Sequence, residues 1–172
     1  MIGLRVLMMV TIIAPVVGPV TAGEAIKGAY EVLGSERDWS VLRWSNGDQD
    51  ICTGRTLPSG RNGDFTEGEA VAFLTMEPGS ERRVFSYTPG ASVEMGDAGA
   101  HVVVDDDTKI ALIGVGDTLY AQPADDDRLV RALRRGKEAV IFGETAAGGS
   151  YSDTLSLMGV IASGRLMENA DC

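Results

Sequence analysis

The stretch AVAFLTMEPGSERRVFSYTPG, residues 70–90, carries the clearest indication of how this chain folds. It opens with an apolar run of strand length, interrupted only by Thr75, which predicts a strand buried on both faces. A Pro-Gly pair then favours a turn, and residues 82–87 form a second strand before another Pro-Gly pair. The stretch therefore predicts two neighbouring β-strands joined by a tight turn.

The same punctuation continues on both sides of this pair of strands. We expect a loop over residues 58–69, where glycines interrupt any periodicity. Further short strands are predicted over 39–44, 50–57, 101–104, 109–113 and 118–122, with a hairpin formed by 137–144 and 151–158. Short strands separated by regular turns are typical of a compact antiparallel β-sandwich or small barrel.

Two short helices are expected near the C terminus of this mainly β domain. Asp125 can cap a helix that runs to about Arg135, and Gly136 follows its end. A second helix, over residues 160–169, would carry the terminal Cys172 back to the body of the domain. The predicted fold is therefore a β-sandwich or small barrel with two short helices.

Residues 1–22 have the layout of a secretory signal peptide. Arg5 is the only cation before an uncharged, largely apolar run over residues 6–20. The Val-Thr-Ala that ends at Ala22 fits the small-residue cleavage pattern, and Ala25 offers a second site. The pattern predicts export to the periplasm or secretion, with possible association with the outer membrane.

A retained membrane anchor is the alternative interpretation of this segment. Pro15 and Pro19 interrupt a helix, and the apolar run is shorter than the roughly 20 residues that span a bilayer. We therefore expect no membrane span after cleavage. Residues 23–37 would form a lead-in, and residues 38–172 a single β-rich domain.

Composition excludes several classes of function. The 172 residues include 15 Lys and Arg against 25 Asp and Glu, a formal net charge of -10. Nucleic-acid binding is not expected, because phosphate contacts need clustered cations. One His and two Cys cannot supply four ligands of a His/Cys zinc site.

The two cysteines, Cys52 and Cys172, are expected to pair with each other in an oxidising compartment. Free thiols and an intermolecular bridge are the alternatives. Neither cysteine belongs to a C-x-x-C pair, and a single His would have to serve either one as a base. The pair is therefore predicted to be structural.

One short stretch of this acidic chain is strongly basic. Two interpretations are open: complementation of the helix dipole together with solvation, or a docking face for an acidic partner or lipid headgroups. The cations concerned are Arg128, Arg131, Arg134, Arg135 and Lys137.

The search for catalytic and metal-binding patterns predicts no such site. His101 could formally join a Ser-His-Asp triad, but no G-x-S-x-G elbow accompanies it. The aspartate triplets at 105–107 and 125–127 lack the spacing of a calcium-binding loop. We predict no catalytic residue, no metal and no cofactor.

Several motifs, spread over residues 38–172, resemble the invasion-associated locus B family of exported bacterial proteins. The strongest is DTLSLMG at 153–159, followed by the terminal Cys172. The others are Asp38-Trp39-Ser40-Val41, Cys52, Pro78-Gly79, Arg134-Arg135-Gly136, Glu138-Ala139-Val140, Gly143 and Gly148. The resemblance implies an exported, periplasmic or outer-membrane-associated protein, linked in some pathogens to host-cell invasion, and brings no catalytic residues with it.

Two functions from different classes follow. The first is an exported, non-catalytic interaction protein whose partner is a protein or an envelope component. The alternative is a small periplasmic hydrolase with a cryptic Ser/His/Asp site. A pocket that gathers His101 with a serine and an aspartate within hydrogen-bond reach would favour the hydrolase.

Overall fold

The computed structural model describes residues 30–45, 49–63, 68–90, 99–144, 148–170 and 172. The expected signal peptide and both of its cleavage sites lie outside these residues. Within the described part, the strands form one large antiparallel sheet accompanied by two short helices, one of them near the C terminus. The predicted mainly β fold is confirmed.

The strands follow one another along the chain with short connections. They are β1 (Glu31–Glu36), β2 (Trp39–Ser45), β3 (Asp50–Thr56), β4 (Gly60–Gly63), β5 (Val71–Met76), β6 (Arg83–Thr88), β7 (His101–Val104), β8 (Thr108–Val115), β9 (Thr118–Ala121), β10 (Glu138–Glu144) and β11 (Ser150–Ser156). Their spatial order is β1-β2-β3-β5-β6-β9-β8-β7-β10-β11-β4. Helix α1 spans Asp126–Arg135 and α2 spans Val160–Glu168.

Strand β8 links the two halves of the sheet. Its residues 108–111 pair with β7, and its residues 112–115 pair with β9. The halves meet again far from β8, where the Trp39 Nε1 on β2 donates to the Ser156 carbonyl of β11 at 3.0 Å. The sheet is thus folded back on itself around one core, as in a sandwich.

The core follows from the two-residue period of the strands. In the 70–90 stretch the inward residues Leu74, Phe85 and Tyr87 are at most 1% exposed, while their neighbours are partly exposed. The prediction that residues 70–76 are buried on both faces is therefore wrong, because only one face of β5 meets the core.

Two strands were not predicted from the sequence. Strand β1 lies in the expected lead-in, at one edge of the sheet, and its pairing with β2 shifts register between Val32 and Gly34. Strand β4 lies in the expected loop over 58–69 and is the opposite edge of the sheet. The bulge in β1 and the turn-forming composition of β4 hide the strand pattern in both.

Helix α1 has nearly the predicted bounds, but its ends differ in detail. The Asp125 side chain makes no capping bond, and its carboxylate accepts instead from the Arg128 guanidinium at 3.2 Å. The backbone at Gly136 is extended, with φ −79°, which any residue can adopt, so glycine is required here by the lack of space for a side chain. An added Cβ would lie 2.6 Å from Cγ1 of Val104. The helix thus packs tightly against the end of β7.

Helix α2 closes the C-terminal end of the domain. The structure joins Cys52 and Cys172 in a disulfide, with their Cα atoms 5.6 Å apart, inside the normal bridging range. Val41, Met76 and Met167 pack around the bridge in a second apolar cluster. Neither described helix is long and apolar enough to cross a lipid bilayer.

Candidate functional site

Helix α1 presents three of its four arginines along one side. Arg128, Arg131 and Arg135 are spaced by three and four residues, which aligns them on one helix face. We call these three residues the arginine stripe. They line a surface concavity of about 330 Å³ together with Asp107 and Thr108 of the turn and strand that follow β7.

The three arginines of the stripe differ in how they are held. The Arg128 guanidinium donates to the Asp125 carboxylate at 3.2 Å and to the Lys109 carbonyl at 2.7 Å. Arg131 and Arg135 are exposed, and neither forms an ion pair with any residue in the described part of the chain. The stripe therefore combines one fixed cation with two uncompensated ones.

The opposite wall of the concavity is the turn between β7 and β8. The Asp105 carboxylate accepts from the backbone N–H groups of Lys137 and Glu138, with distances of 2.9 and 3.0 Å to one oxygen. These two bonds hold the pKa of Asp105 below its ordinary value. The turn is thereby fixed to the start of β10, while the Asp107 side chain makes no hydrogen bond within the described residues.

The other two cations of the predicted docking face lie elsewhere. Arg134 lines a second concavity, of about 340 Å³, with Glu81 and Glu168. Lys137 follows the helix, and its backbone N–H donates to the Asp105 carboxylate. Arg131 lies between the two concavities and lines both. The five cations are thus neighbours in sequence but form no single face.

Acidic residues neutralise two of the arginines that border the second concavity, Arg82 and Arg83. The other two, Arg131 and Arg134, form no ion pair with the described residues. Arg82 donates to Asp126 at 2.8 Å, and Arg83 is paired with Glu168. Asp126 is buried, and this burial raises the pKa of its carboxyl despite the arginine beside it. Arg82 and Arg83 therefore hold α1 and α2 against the sheet, in contrast to the arginines of the stripe.

His101 lines a separate groove of about 510 Å³, which bears on the hydrolase alternative. Its ring stacks on Phe142, with centroids 5.0 Å apart, and its Nδ1 hydrogen-bonds the Gly99 carbonyl at 2.9 Å. Phe142 separates His101 from Ser152 across the sheet, which puts two strand spacings, about 10 Å, between their backbones. Ser150, Ser152 and Glu144 line the same groove, but among the described residues His101 forms no hydrogen bond with a serine hydroxyl or a carboxylate.

A buried ionic cluster, not predicted from the sequence, joins the two halves of the sheet. Asp153 on β11 is fully buried and accepts from Tyr87 on β6 and from Nε of Arg61 on β4, the latter at 2.8 Å. Arg61 also donates to the Pro89 carbonyl at 2.8 Å. Burial, followed by the hydrogen bond to Asp153, raises the pKa of Tyr87 well above its ordinary value. The cluster pairs all its charges and offers none to a ligand.

Two of the motifs that carry the family resemblance contact each other. The Ser156 hydroxyl donates to the Asp38 carboxylate at 2.5 Å, and the Asp38 N–H donates to the Met158 carbonyl at 3.2 Å. Gly159 has φ +116°, and an added Cβ would lie 1.9 Å from the Glu36 carbonyl oxygen. The motifs at 38–41 and 153–159 therefore form a structural seam.

Comparison of the chain with protein-family models, curated proteins and solved structures found no match. The resemblance of residues 38–172 to the invasion-associated locus B family therefore stays a prediction. No three His, Cys, Asp or Glu side chains come together as a metal-binding group in the described residues. The arginine stripe is the strongest candidate for a functional surface.

Proposed function

We propose that this chain is an exported, non-catalytic interaction protein of the cell envelope, and that the arginine stripe binds an anionic envelope component. The observation that carries this proposal is the contrast among the arginines. Arg61, Arg82 and Arg83 are each paired with a carboxylate. Arg131 and Arg135 are exposed and form no ion pair with the described residues, as is also true of Arg37, Arg134 and Arg165, but these two share one concavity with the fixed Arg128.

The overall charge makes this contrast informative. Acidic residues outnumber basic ones by 25 to 15, so carboxylates for pairing are abundant. Exposed ion pairs add little to stability, but exposed cations steer and orient an anionic partner. Two unpaired guanidiniums beside a third that is held in place are therefore better explained by recognition than by folding.

The disulfide supports the proposed compartment. Disulfides form and persist in oxidising compartments and are rare in reducing ones, and the Cys52–Cys172 bridge closes most of the described domain. Export also agrees with the signal-peptide layout of residues 1–22 and with the resemblance to exported bacterial proteins. A role at a host-cell surface belongs to the same proposal.

Co-sedimentation with cell envelopes tests the binding surface. The variant R131E/R135E reverses the two uncompensated charges, and we expect it to lose about tenfold or more of the envelope-bound fraction. The control R37E/R165E makes the same change in net charge at two exposed arginines outside the concavity and should bind as wild type. Equal binding of all three proteins would contradict the proposal.

Intact mass measured with and without reductant tests the compartment separately. The mature protein should lack residues 1–22, or the slightly longer segment that ends at Ala25, and should gain two hydrogens on reduction. A full-length chain with reduced cysteines would contradict export.

A further inference from the structure

We propose that the concavity beside the arginine stripe binds a phosphate-bearing saccharide. This inference rests on the proposed function and names the chemical class of its ligand. The phosphate would be held by the guanidiniums of the stripe, and neighbouring sugar hydroxyls would donate to Asp107 and exchange hydrogen bonds with Thr108.

The stripe provides the donors that a phosphate needs. Arg131 and Arg135 are one helical turn apart on the same face, so both guanidiniums reach over the same concavity. A guanidinium presents a planar fork of N–H donors that matches phosphate oxygens two at a time. The Arg128 guanidinium donates to the Asp125 carboxylate and the Lys109 carbonyl, and these two bonds fix its position. Its remaining N–H groups can still donate to a ligand.

The opposite wall requires a ligand that also carries hydroxyl groups. Asp107 lines the same concavity as the three arginines, and a purely anionic ligand would be repelled by its carboxylate. An ionised carboxylate is only an acceptor, so it favours a ligand with donors beside its phosphate. Asp105 accepts from two backbone N–H groups, which leaves Asp107 as the better acceptor of sugar hydroxyls.

Charge and shape favour a discrete ligand over an anionic bilayer. The exposed Asp105 and Asp107 line the concavity beside the stripe, and a flat anionic surface that touched the arginines would also meet these two carboxylates. The net charge of -10 would also repel an anionic bilayer that approaches the protein. A concavity of about 330 Å³ lies at the lower end of the size range for small-molecule sites.

The walls of the concavity are rigid enough to select a ligand. One wall is a helix whose Leu129 and Leu133 are buried in the core. The other is a turn held to β10 through Asp105. Gly136 and Val104 also line the concavity, and an added Cβ at position 136 would lie 2.6 Å from Cγ1 of Val104. Such fixed geometry is what discrimination between similar anions requires.

Titration calorimetry with the mature, disulfide-bonded protein tests this inference, with glucose 6-phosphate, inorganic phosphate and glucose as the probes. We expect glucose 6-phosphate to bind about tenfold or more tightly than inorganic phosphate, and glucose alone to show no binding. R131E/R135E should remove binding of both anions, and R37E/R165E should leave both unchanged. D107N should lower the affinity for glucose 6-phosphate to that for phosphate.

Three results would overturn the inference: no binding of glucose 6-phosphate, equal affinity for the two anions, or an increase in both affinities in D107N, which would mean that Asp107 only repels. The envelope co-sedimentation assay distinguishes failure of the sugar-phosphate inference from failure of the proposed envelope docking. Loss of envelope binding in R131E/R135E without any sugar-phosphate binding would reject the ligand class alone. Sugar-phosphate binding that R131E/R135E abolishes, with unchanged envelope binding, would reject the proposed docking alone.

Discussion

The protein uses arginine and aspartate in two opposite ways, in the buried cluster around Asp153 and in the arginine stripe. In the cluster, Arg61 and Tyr87 both donate to a carboxylate that is fully buried. In the stripe, Arg131 and Arg135 are exposed and have no carboxylate partner in the described part of the chain. Buried charges must be paired, whereas exposed cations are free to bind a ligand.

The largest expected effect comes from breaking the buried cluster. Replacing Asp153 by Ala leaves the Arg61 cation and the Tyr87 hydroxyl without their carboxylate, and we expect a loss of about 3–5 kcal/mol in the free energy of unfolding. Urea titration measures this loss. Asp117→Ala, at an exposed turn position with a negative φ, is the control and should change stability by less than about 0.5 kcal/mol. Similar small losses in both variants would show that the cluster does not hold the sheet halves together.

Removing the disulfide should have the next largest effect on stability. The bridge contacts neither the buried cluster around Asp153 nor the arginine stripe, so its removal separates overall stability from binding. The cysteines are 120 residues apart, so the bridge restricts the unfolded chain strongly. We expect Cys52→Ser/Cys172→Ser to lose about 2–5 kcal/mol of unfolding free energy. Binding to envelopes should persist at temperatures where the variant stays folded. Loss of binding by the folded variant would mean that the stripe depends on the bridge.

A pH titration probes the turn that faces the stripe. The folded-state pKa of Asp105 is lowered by its two backbone N–H donors, so the stability that it contributes is present above its unfolded pKa. That contribution is lost as the pH falls through the folded pKa. Asp105→Asn should therefore be less stable than wild type at neutral pH. The difference in unfolding free energy between the two proteins should become smaller in acid. Urea midpoints of both proteins, measured from neutral pH to about pH 3, test this expectation. A difference in midpoint that grows as the pH falls would contradict it.

The smallest expected effect on stability is that of R131E/R135E. Both side chains are exposed and form no ion pair with the described residues, but Arg135 lies in the last turn of α1, where a glutamate is unfavourable for the helix dipole. We therefore expect a loss of at most about 1 kcal/mol. Urea titration in parallel with R37E/R165E measures it. A loss of more than about 1 kcal/mol in R131E/R135E alone would make the stripe part of the scaffold.

Local patterns predicted much of the fold from the sequence. The periodicity of residues 125–135 identified helix α1, and the glycines at 148 and 149 placed the turn between β10 and β11. These features depend on neighbours in sequence. The cysteine pairing could also be anticipated, because Cys52 and Cys172 have no competitor.

Features that depend on distant residues could not be predicted. Strand β4 consists of turn-forming residues and exists because it pairs with β11, where Arg61 meets Asp153. The basic stretch looked like one face, but the structure divides it between two neighbouring concavities, with Arg134 in one, Arg128 and Arg135 in the other, and Arg131 in both. Only the sheet topology brings Asp107 opposite the stripe, about twenty residues away in sequence.

The most direct test of the arginine stripe is one envelope co-sedimentation experiment with wild type, R131E/R135E and R37E/R165E at low ionic strength, where charge interactions are least screened. The stripe predicts that only R131E/R135E leaves the envelope fraction, while its urea midpoint stays close to that of R37E/R165E. Retention of R131E/R135E in the envelope fraction at the wild-type level would contradict the account.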